Sequence, residues 1–277
     1  MPNRNQTLQY FCSNCNSLLK SAMAEIDVGT TEACQHCGYS LSQTLEVRRP
    51  SARKEPLPQF QVAVAVPALT FDLKPLDNFF LALRPGDALF VTGRRANLVA
   101  SRLCVRALLS KRRGGLDSPV LVIDAGNNSD VYGCVNFARQ YGLSIAKMLG
   151  GIVVSRAFTI YQLARLLIHE LSAAIRRFGP KLVVISGLFA MFAPDPQVDQ
   201  DGARGLLRQM MAAIKKMGHV LFVITADDAR GYEDIVSRFD NRLEINEAGD
   251  SVRITASTAY RSKGFALPCR ALKLVSG

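Results

Sequence analysis

Five short apolar runs, each separated from the next by a longer helical pattern, constrain the fold of this chain most strongly. Each run is a near-continuous series of Val, Ile and Leu, which is typical of parallel strands covered on both faces. The runs lie at 88–92, 119–124, 151–155, 181–186 and 219–225, and the helical patterns lie at 97–113, 130–141, 159–178 and 203–217. Strands that alternate with helices predict an α/β fold, with a mostly parallel sheet flanked by helices.

The C-terminal tail departs from this alternation. Three further apolar runs, at 241–246, 251–257 and 269–275, follow one another without a helical pattern between them. We therefore expect the sheet to end in an antiparallel extension.

Composition and cysteine usage predict a cytoplasmic protein with no membrane partner. No run of 18 uncharged apolar residues is long enough for a transmembrane helix. Residues 1–11 are polar and contain no apolar core of a secretory signal. Four of the seven cysteines form two close pairs, which indicates metal ligation in a reducing compartment rather than a disulfide framework.

The two cysteine pairs predict a bound zinc ion. Cys12 and Cys15 form one C-x2-C pair, and Cys34 and Cys37 form another after an interval of 18 residues (16–33). Two such pairs supply four thiolates to one tetrahedral Zn²⁺, and four protein ligands indicate a structural rather than a catalytic ion. Residues 1–45 are therefore interpreted as a zinc ribbon, a module that binds either nucleic acid or protein.

A basic linker is predicted at 46–60, and the α/β domain follows it at 61–277. The linker contains three prolines and little apolar content, which is typical of an extended connection. The formal net charge of the whole chain is +11, which permits binding to DNA. The linker residues expected to contact phosphates are Arg48, Arg49, Arg53 and Lys54.

Several segments of the α/β domain resemble RecA/RadA-type recombinases. Leu76-Asp77, followed by the run from Leu83 to Gly93 with its Pro-Gly turn, resembles the start of the ATPase core of that superfamily. The stretches 138–143, 154–159, 182–185 and 201–209 resemble further motifs of RadA-type proteins in the same order. The resemblance covers about 70–275 and implies a RecA-like domain from a DNA repair or recombination context.

The residues that this superfamily uses for ATP hydrolysis are missing. A phosphate loop has the pattern G-x-x-x-x-G-K-[ST], in which Lys contacts the phosphates and the hydroxyl binds Mg²⁺. The positions of the second glycine, the lysine, the hydroxyl, the Walker B acid and the water-orienting glutamate hold Leu98, Val99, Ala100, Ser186 and Gly126. No catalytic residue is therefore assigned, and ATP is not expected as a substrate.

A weaker anion site remains predicted at Gly93, Arg94 and Arg95. These residues precede the helical pattern at 97–113, and free N–H groups at a helix N-terminus favour an anion. Three polar residues elsewhere are possible substitutes for the missing groups, but none has the required spacing: Ser101, Asp124 and Asp227.

Four arginines along the same helical pattern predict a strip of phosphate contacts. Arg95, Arg102, Arg106 and Arg113 are spaced 7, 4 and 7 residues apart, which places them on one face of a helix. The rest of that helix is mostly apolar, so we expect it to be buried with this strip exposed.

Together these features favour a non-hydrolysing RecA/RadA-like paralogue that binds nucleic acid or acts as an accessory factor in DNA repair or recombination. Two alternatives remain open: an ATP-binding protein or ATPase with an atypical phosphate loop, and a scaffold that docks on an active RecA-family ATPase. The partners expected are DNA, a RecA-family recombinase, or further copies of the same chain. The sequence leans against an enzyme.

Overall fold

The computed structural model describes residues 8–12, 18–22, 45–48, 68–125, 127, 129–192 and 200–272. The chain divides into two compact units, Met1–Val64 and Ala65–Gly277. Among the described residues, no helix is both long enough and apolar enough to cross a membrane.

The first unit contains an antiparallel sheet of three strands, β1 (Leu8–Cys12), β2 (Leu18–Ala22) and β3 (Leu45–Arg48), in the order β2-β1-β3. Tyr10 on β1 is opposite Lys20 on β2 and Val47 on β3. Residues 46–48, which the sequence assigns to the linker, therefore lie in a strand. Their alternating side chains suit a strand, and the prolines that favour a linker begin only at Pro50.

The second unit contains eight strands and nine helices among its described residues. The strands are β4 (Ala88–Thr92), β5 (Val120–Ala125), β6 (Ile152–Ala157), β7 (Leu182–Ser186), β8 (Leu221–Ala226), β9 (Asn241–Ala248), β10 (Ser251–Ser257) and β11 (Ser262–Pro268). The helices are α1 (Lys74–Phe80), α2 (Ala96–Ala107), α3 (Val131–Gln140), α4 (Ile145–Gly151), α5 (Ile160–Arg165), α6 (Leu171–Phe178), α7 (Gln200–Lys215), α8 (Glu233–Val236) and α9 (Cys269–Leu272). A π turn, Leu166–Glu170, joins α5 to α6.

The eight strands form one sheet in the order β11-β10-β9-β4-β8-β7-β5-β6. The six strands from β9 to β6 are mutually parallel, and β10 and β11 add to β9 in antiparallel pairing. The predicted α/β class, with a mostly parallel sheet and an antiparallel extension, is confirmed.

The last predicted strand is wrong. The third antiparallel strand is β11 at 262–268, whereas the sequence pattern places it at 269–275. A tight hairpin brings Ser262 opposite Ser257, and Phe265 and Leu267 then alternate toward the core. Residues 269–272 form α9 instead, and the rest of the predicted run lies outside the described residues.

Helices cover both faces of the sheet, as near-continuous apolar strands require. Along β5, Val120 and Val122 face one apolar cluster, which contains side chains of α1 to α4. Leu121 and Ile123 face a second cluster, which contains side chains of α5 to α8. Alternate residues of each buried strand therefore anchor helices on opposite sides.

The segment before α1, residues 68–73, is called the lead-in segment here. Asp77 holds it in place, because its carboxylate accepts hydrogen bonds from the backbone N–H groups of Phe71 (2.6 Å) and Leu73 (2.9 Å). Burial raises the pKa of Asp77 above its ordinary value. The adjacent Leu76 is fully buried, so both residues of the Leu-Asp motif fix α1 against the core.

Candidate functional site

The turn between β4 and α2 occupies the place of the predicted anion site. Only Gly93, Arg94 and Arg95 separate the strand from the helix, which begins at Ala96. A phosphate loop has four residues between its first glycine and the second glycine, which leads into the helix. The turn is therefore shorter than a phosphate loop.

Gly93 packs tightly against the neighbouring strands. Its φ is +108°, and a Cβ at this position would lie 2.0 Å from the backbone oxygen of Ile245 on β9. Its N–H donates to the carbonyl of Ala226 at the end of β8, at 3.0 Å. The glycine is needed here for close contact between backbones.

Three backbone amides in the first turn of α2 donate to carbonyl groups of this turn. Ala96 N–H donates to the carbonyl of Gly93 (2.8 Å), and the N–H groups of Leu98 and Val99 donate to the carbonyl of Arg95 (3.1 and 3.3 Å). Each of these amides already has an acceptor within the protein. These three amides are therefore not free to bind an anion at the start of the helix.

The positions that correspond to the phosphate-loop lysine and hydroxyl lie inside the first turns of α2. Val99 and Ala100 are 2% and 4% exposed and belong to the apolar cluster beneath the helix. They are therefore core residues.

A neutral hydrogen-bonded group lies where the Walker B acid is expected. The Asn97 Oδ1 atom accepts hydrogen bonds from Ser186 Oγ (3.0 Å) and Thr225 Oγ1 (2.5 Å). Thr225 Oγ1 also accepts from the N–H of Gly187 at 3.0 Å. Ser186 and Thr225 are buried at the ends of β7 and β8. This neutral triad of Asn97, Ser186 and Thr225 joins α2 to both strands without any ionised group.

The two arginines of the turn differ in their surroundings. Arg95 forms an ion pair with Glu247 on β9, with Nε and Oε1 2.6 Å apart, and Arg94 is exposed. The predicted anion site stays a prediction, and Arg94 is the cation that the fold leaves at the surface of this turn.

The other polar candidates at the strand ends have structural contacts. Asp124 accepts hydrogen bonds from the N–H and hydroxyl of Ser129 (3.0 and 2.7 Å) and pairs with Arg156 Nε at 3.1 Å. The hydroxyl of Ser101 donates to the carbonyl of Asp130 at 3.1 Å. These residues therefore hold the connection between β5 and α3.

Asp227 lines a cleft of about 490 Å³ beside Thr92 and Gly93. The charged side chains of this cleft are Asp227, Asp228, Glu233, Glu244, Arg230 and Arg242. Carboxylates outnumber cations there by four to two, and Arg230 already pairs with Asp228 at 2.5 Å. The cleft therefore disfavours a polyphosphate on electrostatic grounds.

The predicted exposed arginine strip is wrong at its two central positions. Arg102 and Arg106 are only 4% and 5% exposed. Their guanidinium groups lie over the ring of Phe137 on α3 (5.0 Å) and the ring of Tyr141, which directly follows that helix (5.2 Å). Burial lowers the pKa of Arg102 below its ordinary value. These two side chains point into the protein and are unavailable to a phosphate backbone.

The two buried arginines bind backbone carbonyls from distant parts of the chain. Arg102 donates to the carbonyls of Phe71 (3.3 Å), Asp72 (3.2 Å) and Ala271 (3.1 Å). Arg102 therefore ties both the lead-in segment and α9 to α2.

Arg106 reinforces the same arrangement. It donates to the carbonyl of Thr70 at 2.5 Å, to the Thr70 hydroxyl, and to the carbonyl of Arg113 at 3.0 Å. We call the pair Arg102 and Arg106, with these carbonyls, the arginine clasp. Its function is to hold the ends of the second unit against the core.

Arg113 lies outside α2, because the helix ends at Ala107 and not at 113 as predicted. A separate 3-10 turn, Lys111–Arg113, follows it. Gly115 lies so close to the Leu109 carbonyl that a Cβ would be 2.2 Å away, so the chain folds back under the helix end. Arg113 is exposed and donates to the carbonyl of Tyr141 at 2.7 Å.

The remaining predicted site residues belong to the first unit. Cys12 is the last residue of β1, and Arg48 is the last residue of β3. The other predicted ligands and linker cations lie outside the described residues: Cys15, Cys34, Cys37, Arg49, Arg53 and Lys54.

Asn97 and Thr225 are the two residues of the neutral triad that the sequence pattern does not indicate. Counting from Gly93 at phosphate-loop spacing passes over Asn97, because the turn is shorter than a phosphate loop. The sequence signal for Asn97 is a polar amide side chain at the start of a mostly apolar helix.

A comparison with models of known protein families identifies the family of the second unit. The Rad51 family model matches residues 89–227, which run from β4 to the end of β8 and include the short turn and the neutral triad. No curated protein gives a significant match. The match spans half of the 277 residues, and the mostly parallel sheet has the topology that the RecA-like resemblance implies, so this chain belongs to the Rad51 family.

Proposed function

We propose that this protein is a Rad51-family member that does not hydrolyse ATP and acts as an accessory factor in DNA repair or recombination. The neutral triad is the observation that carries the proposal. Phosphoryl transfer needs cations and a bound metal ion to stabilise charge on the phosphates. Asn97, Ser186 and Thr225 supply neither a cation nor a metal ligand of negative charge. The turn between β4 and α2 is also too short to surround a triphosphate.

The first prediction is that the purified full chain releases phosphate from ATP and Mg²⁺ no faster than buffer, with or without DNA. A Rad51-family recombinase with an intact phosphate loop serves as the positive control, and phosphate release is measured directly. ATPase activity that co-elutes with the protein and is lost on changing Arg94 and Arg95 to Ala would support the alternative of an atypical ATPase.

Zinc binding by the first unit is part of the same proposal. Cys12 ends β1, Cys15 lies in the connection to β2, and the second cysteine pair lies between β2 and β3. Two C-x2-C pairs supply four thiolates, and these would hold a structural Zn²⁺.

The second prediction is one zinc ion per chain, measured by elemental analysis of the purified protein. Changing Cys34 and Cys37 to Ser together removes two ligands, so the zinc content should fall to near zero. The second unit should remain folded, because it buries its own apolar clusters. Unchanged zinc content in the double variant would reject the assigned ligands.

DNA binding is a general property of the Rad51 family. We propose that this chain binds DNA through the cations of its linker. With Arg102 and Arg106 buried, the cations that remain from the predicted set are Arg48, Arg49, Arg53, Lys54, Arg95 and Arg113. Arg95 already pairs with Glu247, and Arg113 donates to a carbonyl, so the linker is the better source of phosphate contacts.

The third prediction concerns the salt dependence of that binding. Each neutralised phosphate on duplex DNA contributes a slope of about −0.9 to the plot of log affinity against log salt. Changing Arg49, Arg53 and Lys54 to Glu should reduce the slope by about 3 and weaken binding to all sequences alike. The measurement is fluorescence anisotropy over a salt series.

The matched control reverses three exposed arginines of the second unit, Arg112, Arg139 and Arg208, and makes the same change in net charge. If both triple variants lose affinity equally, binding is governed by overall charge. If the wild type binds neither single- nor double-stranded DNA at low salt, the nucleic-acid proposal fails.

A scaffold function is the second candidate, and the edge strand β6 supports it. Val154 on this strand, and Phe158 and Tyr161 just after it, are 45%, 69% and 71% exposed. An edge strand with exposed apolar and aromatic side chains is typical of a protein contact. The expected partner is an active RecA-family ATPase, and co-purification that survives nuclease treatment separates this candidate from DNA binding.

A further inference from the structure

Two cysteines of the second unit meet between α2 and α3. Cys104 on α2 and Cys134 on α3 are only 3% and 8% exposed, and their side chains line the same crevice between the two helices. The Cys134 sulfur also lies 3.9 Å from the carbonyl oxygen of Ser101. Neither thiol takes part in the neutral triad or in the arginine clasp.

Both thiols line a small crevice that opens beside the edge strand. The crevice has a volume of about 40 Å³, and Val122 and Val184 form part of its wall. Val131 and Val154, which also line it, are 43% and 45% exposed and mark its opening to solvent. A space of this size accommodates one or a few water-sized molecules. It excludes a bulky reagent such as glutathione disulfide.

We propose that Cys104 and Cys134 form a dithiol that hydrogen peroxide oxidises to an intramolecular disulfide joining α2 to α3. The proposal is independent of the proposed function. It assigns a modification site to residues of the core, and the size of the crevice selects peroxide as the oxidant.

The two thiols have different parts in the reaction. Interaction with Cys104 lowers the pKa of the Cys134 thiol, whereas the pKa of Cys104 lies well above its ordinary value because of the same interaction and burial. The thiolate is the nucleophile in cysteine oxidation. Cys134, which is also the more exposed of the two at 8% against 3%, is therefore the residue that attacks, and Cys104 is the resolving thiol.

The reaction balances with one peroxide. The Cys134 thiolate attacks one peroxide oxygen, the O–O bond breaks, and the leaving hydroxide takes up a proton to become water. The Cys104 sulfur then attacks the Cys134 sulfenic acid, the S–O bond breaks, and the hydroxyl leaves with the Cys104 proton as a second water. Two thiols and one peroxide give one disulfide and two waters.

Peptide mapping of the peroxide-treated full chain tests the proposal. Trypsin cleavage after Arg102, Arg106, Arg113 and Arg139 isolates Cys104 in peptide 103–106 and Cys134 in peptide 114–139. After stoichiometric peroxide and blocking of free thiols, we expect these peptides to be joined, with the loss of two hydrogens. Oxidised glutathione at the same concentration should give at least tenfold less of the joined product.

Two variants and one stability measurement complete the test. Cys269 is the third cysteine of the second unit, and Cys269→Ser should leave the cross-link unchanged. Cys104→Ser should stop the reaction at a sulfenic acid on Cys134, which is trapped as its dimedone adduct when the oxidised protein is unfolded in urea that contains dimedone. Circular dichroism before this step checks that the variant is folded. In the wild type, the thermal midpoint of the second unit should rise on oxidation and return when reductant is added.

The outcomes that overturn the proposal are equally specific. One is a cross-link that forms only in urea, which means that the folded thiols cannot reach each other or the oxidant. Another is equal yield from peroxide and oxidised glutathione, which rules out selection by the crevice. A third is oxidation confined to the cysteines of the first unit.

Discussion

Changing Arg102 to Ala is expected to lower the free energy of unfolding of the second unit by about 3–5 kcal/mol. The side chain is 4% exposed and donates to three backbone carbonyls, those of Phe71, Asp72 and Ala271. Its removal takes the donor from one buried and two partly buried carbonyls, and it removes the cation that lies over the ring of Phe137. Charge reversal to Glu should prevent folding, because it places a carboxylate against carbonyl oxygens.

Urea denaturation followed by far-ultraviolet circular dichroism measures this effect. Tyrosine fluorescence is a second probe, because the chain contains no tryptophan and Tyr141 lies at the clasp. Arg102→Lys keeps the positive charge, but lysine lacks the planar guanidinium group that donates to three carbonyls. This variant should therefore recover less than half of the stability that Arg102→Ala loses.

Arg112 provides the matched control. It is an exposed arginine in the turn that follows α2, and Arg112→Ala should change stability by no more than about 0.5 kcal/mol. If Arg102→Ala is equally mild, the clasp does not hold the lead-in segment and α9. The same result would reopen Arg102 as a residue for binding DNA.

The arginine clasp explains why the sequence pattern wrongly predicts an exposed arginine strip. The spacing of Arg102 and Arg106 does place both on one face of α2, as the helical period requires. The helical period alone does not determine whether that face is exposed to solvent or buried against other parts of the chain. The carbonyls of Phe71 and Ala271 that cover it lie 31 and 169 residues away, so a local pattern carries no information about them.

The parallel strands, in contrast, could be predicted because their signal lies within each strand. Strands such as β5 and β8 are buried along their whole length and almost entirely apolar, because both faces of the sheet are covered, and that composition is visible locally. The antiparallel strand β11 has only partly buried and exposed residues, and its two inward-facing side chains, Phe265 and Leu267, give a weaker signal. Its pairing is set by the hairpin with β10, which the apolar pattern alone did not reveal.

The site at the strand ends was predictable only in part. The missing catalytic groups are evident from sequence, but the contacts that replace them are not. The neutral triad brings together residues up to 128 positions apart, and the length of the turn after Gly93 depends on where α2 begins.

Gly93→Ala is expected to lower the free energy of unfolding by about 2–5 kcal/mol, combining backbone strain with a steric clash. The φ of +108° lies in a region that residues with a Cβ rarely adopt, and the added Cβ would lie 2.0 Å from the Ile245 carbonyl oxygen. That oxygen belongs to the backbone of β9, so it cannot move without shifting the strand. Relief of the clash would also disturb the hydrogen bond from Gly93 to Ala226.

Gly231→Ala is the control that separates the steric clash at Gly93 from the backbone strain of a positive φ. Gly231 also has a positive φ, +82°, but no atom lies within 4 Å of its Cβ position. This variant should therefore show the cost of strain alone, about 1–2 kcal/mol. Urea denaturation of both variants gives the difference directly. Equal losses at the two positions would mean that β9 does not press on the turn, and the short turn would then have room to open around an anion. A clearly larger loss at Gly93 means that the turn is closed by backbone contact, as the proposed loss of ATP hydrolysis requires.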